Sequence, residues 1–202
     1  MLIDALEPFG FEHVFPRGTL REPIEGLARA HVVVLSRADL VSAKERALIS
    51  DRVTRLSPSA DWIEVVHAPM ELVAFRDAAI SGETAGPQKP LESLLGRRVL
   101  AFCGIGNPAG FRHTLTVCGY EVAAFREFPD HYQYSESVLD HLAAEARQLD
   151  VEAVVCTQKD LVKIRCERLG DQPLWALKVG IDFLSGRELL MEKLLNVVTS
   201  PL

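Results

Sequence analysis

Arg98-Val-Leu-Ala-Phe-Cys-Gly-Ile-Gly-Asn-Pro-Ala-Gly-Phe111 decides the fold class. Residues 98–103 read as a strand, as does the short apolar run 31–35, whose pattern is that of a strand covered on both faces. Asn107 offers a side-chain cap, and Pro108 suits the first turn of a helix. Phe111, Leu115 and Cys118 then share one helical face, and Gly119 stops the helix. A strand, a glycine turn and a helix in this order make one α/β unit.

The same alternation continues on both sides. Downstream, 121–125 reads as a strand, and 135–149 as an amphipathic helix with Val138, Leu139, Leu142, Ala146 and Leu149 inward. Residues 151–156 and 174–179 read as two more strands, and 187–198 as a closing helix. Upstream, 31–35 is an apolar strand, and Ser42-Ala-Lys-Glu45 is a capping box. The box opens a helix to about Leu56, with Ala43, Ala47, Val53 and Leu56 at helical spacing. Residues 62–66 form the next strand, and Met1-Leu-Ile-Asp4 reads as a strand entered abruptly, as if inside a domain. Strands alternating with helices predict an α/β protein with a mostly parallel sheet and right-handed crossovers. The aperiodic stretch Ser81-Gly-Glu-Thr-Ala-Gly-Pro-Gln-Lys-Pro90 is rich in turn formers. It marks 81–97 as a linker between 1–80 and a smaller α/β domain over 98–202.

Composition narrows the function. The chain has 202 residues and a net charge of −6, which argues against a general nucleic-acid binder. No run approaches the roughly 18 apolar residues of a membrane span. Cys103, Cys118, Cys156 and Cys166 form no C-x-x-C pair and read as reduced, buried thiols. The histidines are scattered without metal-ligand spacing, so no metal site is assigned.

Several segments carry possible chemistry. Gly104-Ile-Gly-Asn-Pro-Ala-Gly110 lies where a dinucleotide fingerprint would, but its third glycine is one residue late for G-x-G-x-x-G. It is either a tight strand-to-helix turn or a helix start whose amides hold an anion. Asp130 and His131, within Phe128-Pro-Asp-His-Tyr-Gln-Tyr134, pair a carboxylate with a group that titrates near neutral pH. Thr157-Gln-Lys-Asp160 follows another apolar strand. There Lys159 and Asp160 are either ligand-facing or a solvated lysine beside a helix cap. Arg21, in Leu-Arg-Glu-Pro, suits phosphate recognition or pairs with Glu22. Ser36-Arg-Ala-Asp39 resembles the base-reading turn of phosphate-loop nucleotidases, placing Asp39 near a nucleotide base; otherwise it is a plain strand-to-helix turn. No G-x-x-x-x-G-K-[ST] loop occurs in the sequence.

Phe15-Pro-Arg-Gly-Thr-Leu-Arg-Glu-Pro23, Phe102-Cys-Gly-Ile-Gly-Asn-Pro-Ala-Gly-Phe111, Phe128-Pro-Asp-His-Tyr-Gln-Tyr134 and Cys156-Thr-Gln-Lys-Asp160 together resemble, in order and spacing, the C-terminal two thirds of the tetraacyldisaccharide 4'-kinase family. The resemblance runs from Leu2 to about Leu190. It implies the latter part of a phosphate-loop (P-loop) kinase domain followed by a smaller α/β domain. It also implies transfer of the ATP γ-phosphoryl, with Mg²⁺, to the 4'-hydroxyl of the lipid A disaccharide precursor, by a cytoplasmic enzyme peripheral at the inner membrane. Asp130 and His131 become catalytic candidates, His131 partnering an aspartate from the family's N-terminal domain. Arg21, Lys159, Asp160 and Asp39 become substrate- or nucleotide-binding candidates. Gln158 stands where the family carries Glu, and Thr19 where it more often has Pro. Without the phosphate loop, the expectation is a truncated form that is inactive alone and binds neither ATP nor Mg²⁺ tightly. A non-catalytic binding or regulatory module and a dinucleotide-binding protein stay open as alternatives.

Overall fold

Val99 to Cys103, five consecutive residues of strand β5 (Arg98–Cys103), have no accessible surface in the computed structural model, which describes residues 1–76 and 86–199. Successive side chains of a strand point to opposite faces, so both faces of β5 must be covered. Val99, Ala101 and Cys103 pack with Phe111 and Leu115 of helix α2 (Pro108–Val117). Leu100 and Phe102 pack with Leu142 and Ala146 of α3 (Glu136–Gln148) on the other side. Burying one such side chain contributes about 1.5–3 kcal/mol, which explains the apolar run.

Contacts divide the chain into two units. In the unit Ala68–Gly180, the strand order runs from the end of β3 (Asp61–Val73) through β9 (Gln172–Ser185), β7 (Ala153–Thr157) and β5 to β6 (Glu121–Glu127). The pairs β5–β6, β5–β7 and β7–β9 are parallel. The short strands β4 (Gln88–Lys89) and β8 (Arg168–Leu169) add antiparallel pairs to β3 and β9. Parallel neighbours need long crossovers, supplied here by α2, α3 and the short helix α4 (Gln158–Ile164).

The other unit joins Met1–His67 to the chain from Ile181 onward. There β1 (Leu2–Asp4), β2 (Val32–Ser36) and the start of β3 are parallel in that order. The predicted capping box opens α1 (Ala43–Leu56), with Ser42 Oγ accepting from the Glu45 amide and Glu45 accepting from the Ser42 amide at 2.8 Å. The inward face of α1 differs from the expected one. Ile49 and Val53 are buried, whereas Ala43 and Ala47 are exposed, because Arg46 turns in to bond the Ala38 and Val41 carbonyls. In the closing helix α5 (Arg187–Thr199), Lys193 Nζ donates to the His31 carbonyl at 3.2 Å and pairs with Asp61 at 2.5 Å.

The α/β class and the mostly parallel sheet match expectation; the division of contacts is drawn elsewhere. It falls within the long strands β3 and β9 rather than at 81–97, and it groups α5 with the first unit. Ser81 to Ala85 of the expected linker lie outside the described residues; within the rest, Gln88 and Lys89 pair with β3, and Leu91–Leu94 form a 3-10 turn.

Candidate active site

β7, β5 and β6 are adjacent and parallel, so their C-terminal ends share one edge of the sheet, where α/β folds gather ligands. Three segments far apart in sequence therefore meet there. Gly104 to Asn107 leaves β5, Phe128 to Tyr134 leaves β6, and Thr157 to Lys163 leaves β7.

The meeting point is Gly104, packed too closely for a side chain. A Cβ built there would lie 3.1 Å from the Tyr134 hydroxyl, 3.2 Å from the Pro129 carbonyl oxygen and 3.3 Å from Asp160 Oδ1. Only glycine leaves room for all three groups without displacement. At Gly106 the nearest such neighbour would be Asp130 Oδ2, at 3.6 Å. Asn107 caps α2 as expected, its Oδ1 accepting from the Gly110 amide at 3.0 Å. That amide is thereby taken up within the protein.

Asp160 has no exposed surface. Its Oδ2 accepts from the Gly104 amide at 3.1 Å and from Thr157 Oγ1 at 2.6 Å, and its Oδ1 faces Lys163 Nζ at 3.4 Å. Thr157 is the N-cap of α4, with Oγ1 accepting from the Asp160 amide at 3.3 Å. The cap is thus Thr157, and Asp160 is the third helical residue reaching back past it. Lys159 is exposed and makes no ion pair among the described residues.

Asp130 and His131 sit on a tight turn closed by the Tyr132 amide donating to the Pro129 carbonyl at 3.1 Å. His131 has φ +61°, a left-handed conformation uncommon for a residue with a Cβ. Its amide donates to Asp130 Oδ1 at 3.0 Å, and both side chains are exposed. Strained backbone of this kind clusters at functional sites. An aromatic cluster anchors the turn: Phe128 stacks on Tyr132 at 4.8 Å, and Tyr134 meets Phe102 edge-on at 5.4 Å. Among the described residues the Tyr134 hydroxyl is buried with no hydrogen-bond partner of good geometry. Burial, and then the charge of Asp160, push its pKa far above that of a free phenol. Burial, reinforced by Asp160 and Glu127, likewise pushes the Cys103 thiol up to about 12.

Arg21 and Asp39 belong to the first unit. Arg21 lines a pocket of about 520 Å³ beside β1, together with Asp4, Pro8, Phe9 and Pro23. The expected alternative partner of Arg21, Glu22, is instead paired with Arg29 at 2.6 Å. Arg21 is exposed and without an ion pair among the described residues. Asp39 lies exposed on a 3-10 turn, Ala38–Leu40, after Arg37 adopts φ +57° and pairs with Asp4 at the end of β1. Among the described residues, no three His, Cys, Asp or Glu side chains form a metal-sized group.

Gly104 stands out in the sequence only as part of a strand-to-helix turn, and nothing local marks the buried hydroxyl of Tyr134 or Lys163. One signal was available for Thr157: a Thr followed three residues later by an acid is the spacing of a helix N-terminus.

Comparison with known proteins shows the family. A family model described as LpxK, tetraacyldisaccharide-1-P 4'-kinase, matches residues 1–199. A tetraacyldisaccharide 4'-kinase of Anaeromyxobacter dehalogenans (strain 2CP-C) is 38% identical over 195 residues, covering 94% of this chain and 48% of that protein. One from Halothermothrix orenii is 37% identical over 164 residues, 81% of this chain and 43% of that protein. A crystal structure of LpxK from Aquifex aeolicus, described as an "apo" form in complex with ATP, has a TM-score of 0.64 at 22% identity. It covers 98% of this chain and 51% of that one. The chain spans about half the length of the relatives it matches. With a family model matched over nearly every residue, the chain belongs to the tetraacyldisaccharide 4'-kinase family.

Proposed function

We propose that residues 1–202 supply the Asp130–His131 side of a tetraacyldisaccharide 4'-kinase, which moves the γ-phosphoryl of ATP to the 4'-hydroxyl of the lipid A disaccharide precursor. The observation that carries this reading is the strained, exposed Asp130–His131 turn, held at the C-terminal edge of the sheet by two converging segments. An exposed imidazole beside a carboxylate can orient or relay the proton of an acceptor hydroxyl. Arg21, exposed and lining a pocket, suits the phosphate on the acceptor, because guanidinium binds phosphate oxygens in pairs. Lys159 adds a second unpaired cation in its own unit, and Asp39 is assigned to the base side of the nucleotide.

The residues present do not fit ATP and Mg²⁺ by themselves. No phosphate-cradling loop occurs in the sequence, and no metal-sized acidic group occurs among the described residues. Positioning and charge neutralisation carry phosphoryl transfer, so this chain alone is assigned the acceptor and not the grip on the nucleotide. That same lack of a loop favours one second reading, a binding module that takes the acceptor lipid without chemistry. Peripheral attachment to the inner face of the cytoplasmic membrane follows from an acylated acceptor. No helix among the described residues is long and apolar enough to cross a bilayer.

The test is equilibrium binding of the tetraacyl disaccharide 1-phosphate, in detergent micelles, to purified 1–202. Saturable binding weakened by Arg21→Ala supports the reading. Binding indistinguishable from that of a non-phosphorylated detergent of equal chain length contradicts it.

A further inference from the structure

Asp160 is an acid with no exposed surface, on the first turn of α4, just after a strand in which Ala153 to Cys156 are also fully buried. A buried carboxylate is costly unless it is paired and hydrogen-bonded. Here the partners come from separate segments: the Gly104 amide after β5, and Thr157 and Lys163 on β7 and α4. Close packing at Gly104 sets Asp160 Oδ1, the Tyr134 hydroxyl and the Pro129 carbonyl around one point, and Pro129 and Tyr132 close the turn that carries Asp130 and His131. A substrate in contact with solvent does not reach Asp160, whereas the Gly104 backbone that Asp160 holds lies beside the Pro129 carbonyl of the turn.

We propose that Asp160 is a positioning residue: its buried carboxylate, acting through the Gly104 amide and the Tyr134 ring, fixes the turn that presents Asp130 and His131. This rests on the reading of that turn as part of the kinase site. Asparagine is the informative replacement. An amide is uncharged and has one acceptor oxygen where the carboxylate has two, so Asp160→Asn either turns its NH2 toward Gly104 and Thr157 or keeps those bonds only as weaker neutral ones with its NH2 set against Lys163; in both cases the hold on the Gly104 amide weakens.

The experiment is amide hydrogen exchange on the full 1–202 chain, together with NMR of the His131 ring. In Asp160→Asn, exchange at Gly104 and Tyr132 should rise at least tenfold relative to Val155 in β7, and the His131 ring signals should shift. A uniform rise that includes Val155 would make Asp160 a general stabiliser and overturn the proposal, as would a Tyr132 amide that exchanges as in wild type. Gly104→Ala probes the same link with the carboxylate intact, and it serves if Asp160→Asn does not fold. Its Cβ must push back Tyr134 and Pro129 by a few tenths of an ångström, so His131 signals should move while Val155 exchange holds. Unmoved His131 signals would overturn the proposal. None of these measurements needs kinase activity. Failure of the wild-type chain to bind acceptor lipid would sink the functional reading and leave this one standing.

Discussion

Replacing His131, which we assign to the site, with glycine should make the fold more stable. Its φ of +61° lies in the left-handed region, which costs a residue with a Cβ about 1–2 kcal/mol. Glycine escapes that penalty but loses about 0.5–1 kcal/mol through its greater freedom in the unfolded chain. The net gain for His131→Gly is about 0.5–1 kcal/mol, which for a chain of this size raises Tm by about 1–4 °C. His131→Ala keeps the backbone penalty and removes an exposed ring with no side-chain hydrogen bond, so it should stay within about 0.5 kcal/mol of wild type. Both substitutions should abolish His131-dependent chemistry. The assay is urea unfolding of the three proteins side by side, with scanning calorimetry as a check. A loss of more than about 1 kcal/mol in the glycine variant would mean that the imidazole itself holds the fold together, and the strain argument would be wrong.

Other consequences concern the rest of the chain. Arg21→Ala should leave Tm unchanged while weakening acceptor binding and flattening its salt dependence, since the guanidinium is exposed and unpaired among the described residues. Unchanged affinity at low salt would remove Arg21 from the site. Ser42→Ala removes the side-chain half of the α1 capping box, the acceptor of the Glu45 amide, and should cost about 1 kcal/mol in a urea titration; no measurable loss would contradict the cap. The folded pKa of Cys103 is raised from 9.0 to about 12, and burial moves Cys156 in the same direction. Unfolding therefore releases protons above about pH 9, so stability is complete below that pH and falls above it. The slope is up to about 1.4 kcal/mol per pH unit for each thiol. Urea midpoints from about pH 8 to about pH 10 should decline, less steeply in Cys103→Ala; a level wild-type profile contradicts the burial argument.

Local rules made much of the fold legible. The Asn107 cap, the Ser42 capping box and the uninterrupted apolar run of β5 each rest on residues within one turn or strand, and each occurs as expected. The 14 residues of β9 were less legible, because polar Lys178 and Asp182 interrupt its apolar pattern. One of them, Lys178, pairs with Glu71 at 2.6 Å, a partner 107 positions away in sequence. The site divides the same way. Asp130, His131, Asp160 and Lys159 stood out by type, but the burial of Asp160 depends on the order β7-β5-β6, which no local pattern contains. The left-handed backbone at His131 is likewise invisible to composition, because turn chemistry would favour glycine there.

We assign to this chain the Asp130–His131 half of a phosphoryl-transfer site, with the phosphate loop supplied from outside residues 1–202. The decisive experiment mixes purified 1–202 with a separately expressed phosphate-loop half of a family member and follows transfer from γ-labelled ATP to the tetraacyl disaccharide lipid. The expected result is no transfer by 1–202 alone and transfer on mixing, with kcat reduced far more than KM is raised by His131→Ala, the pattern of an interaction made in the transition state. Transfer by 1–202 alone, or transfer on mixing that is indifferent to His131→Ala, would contradict it.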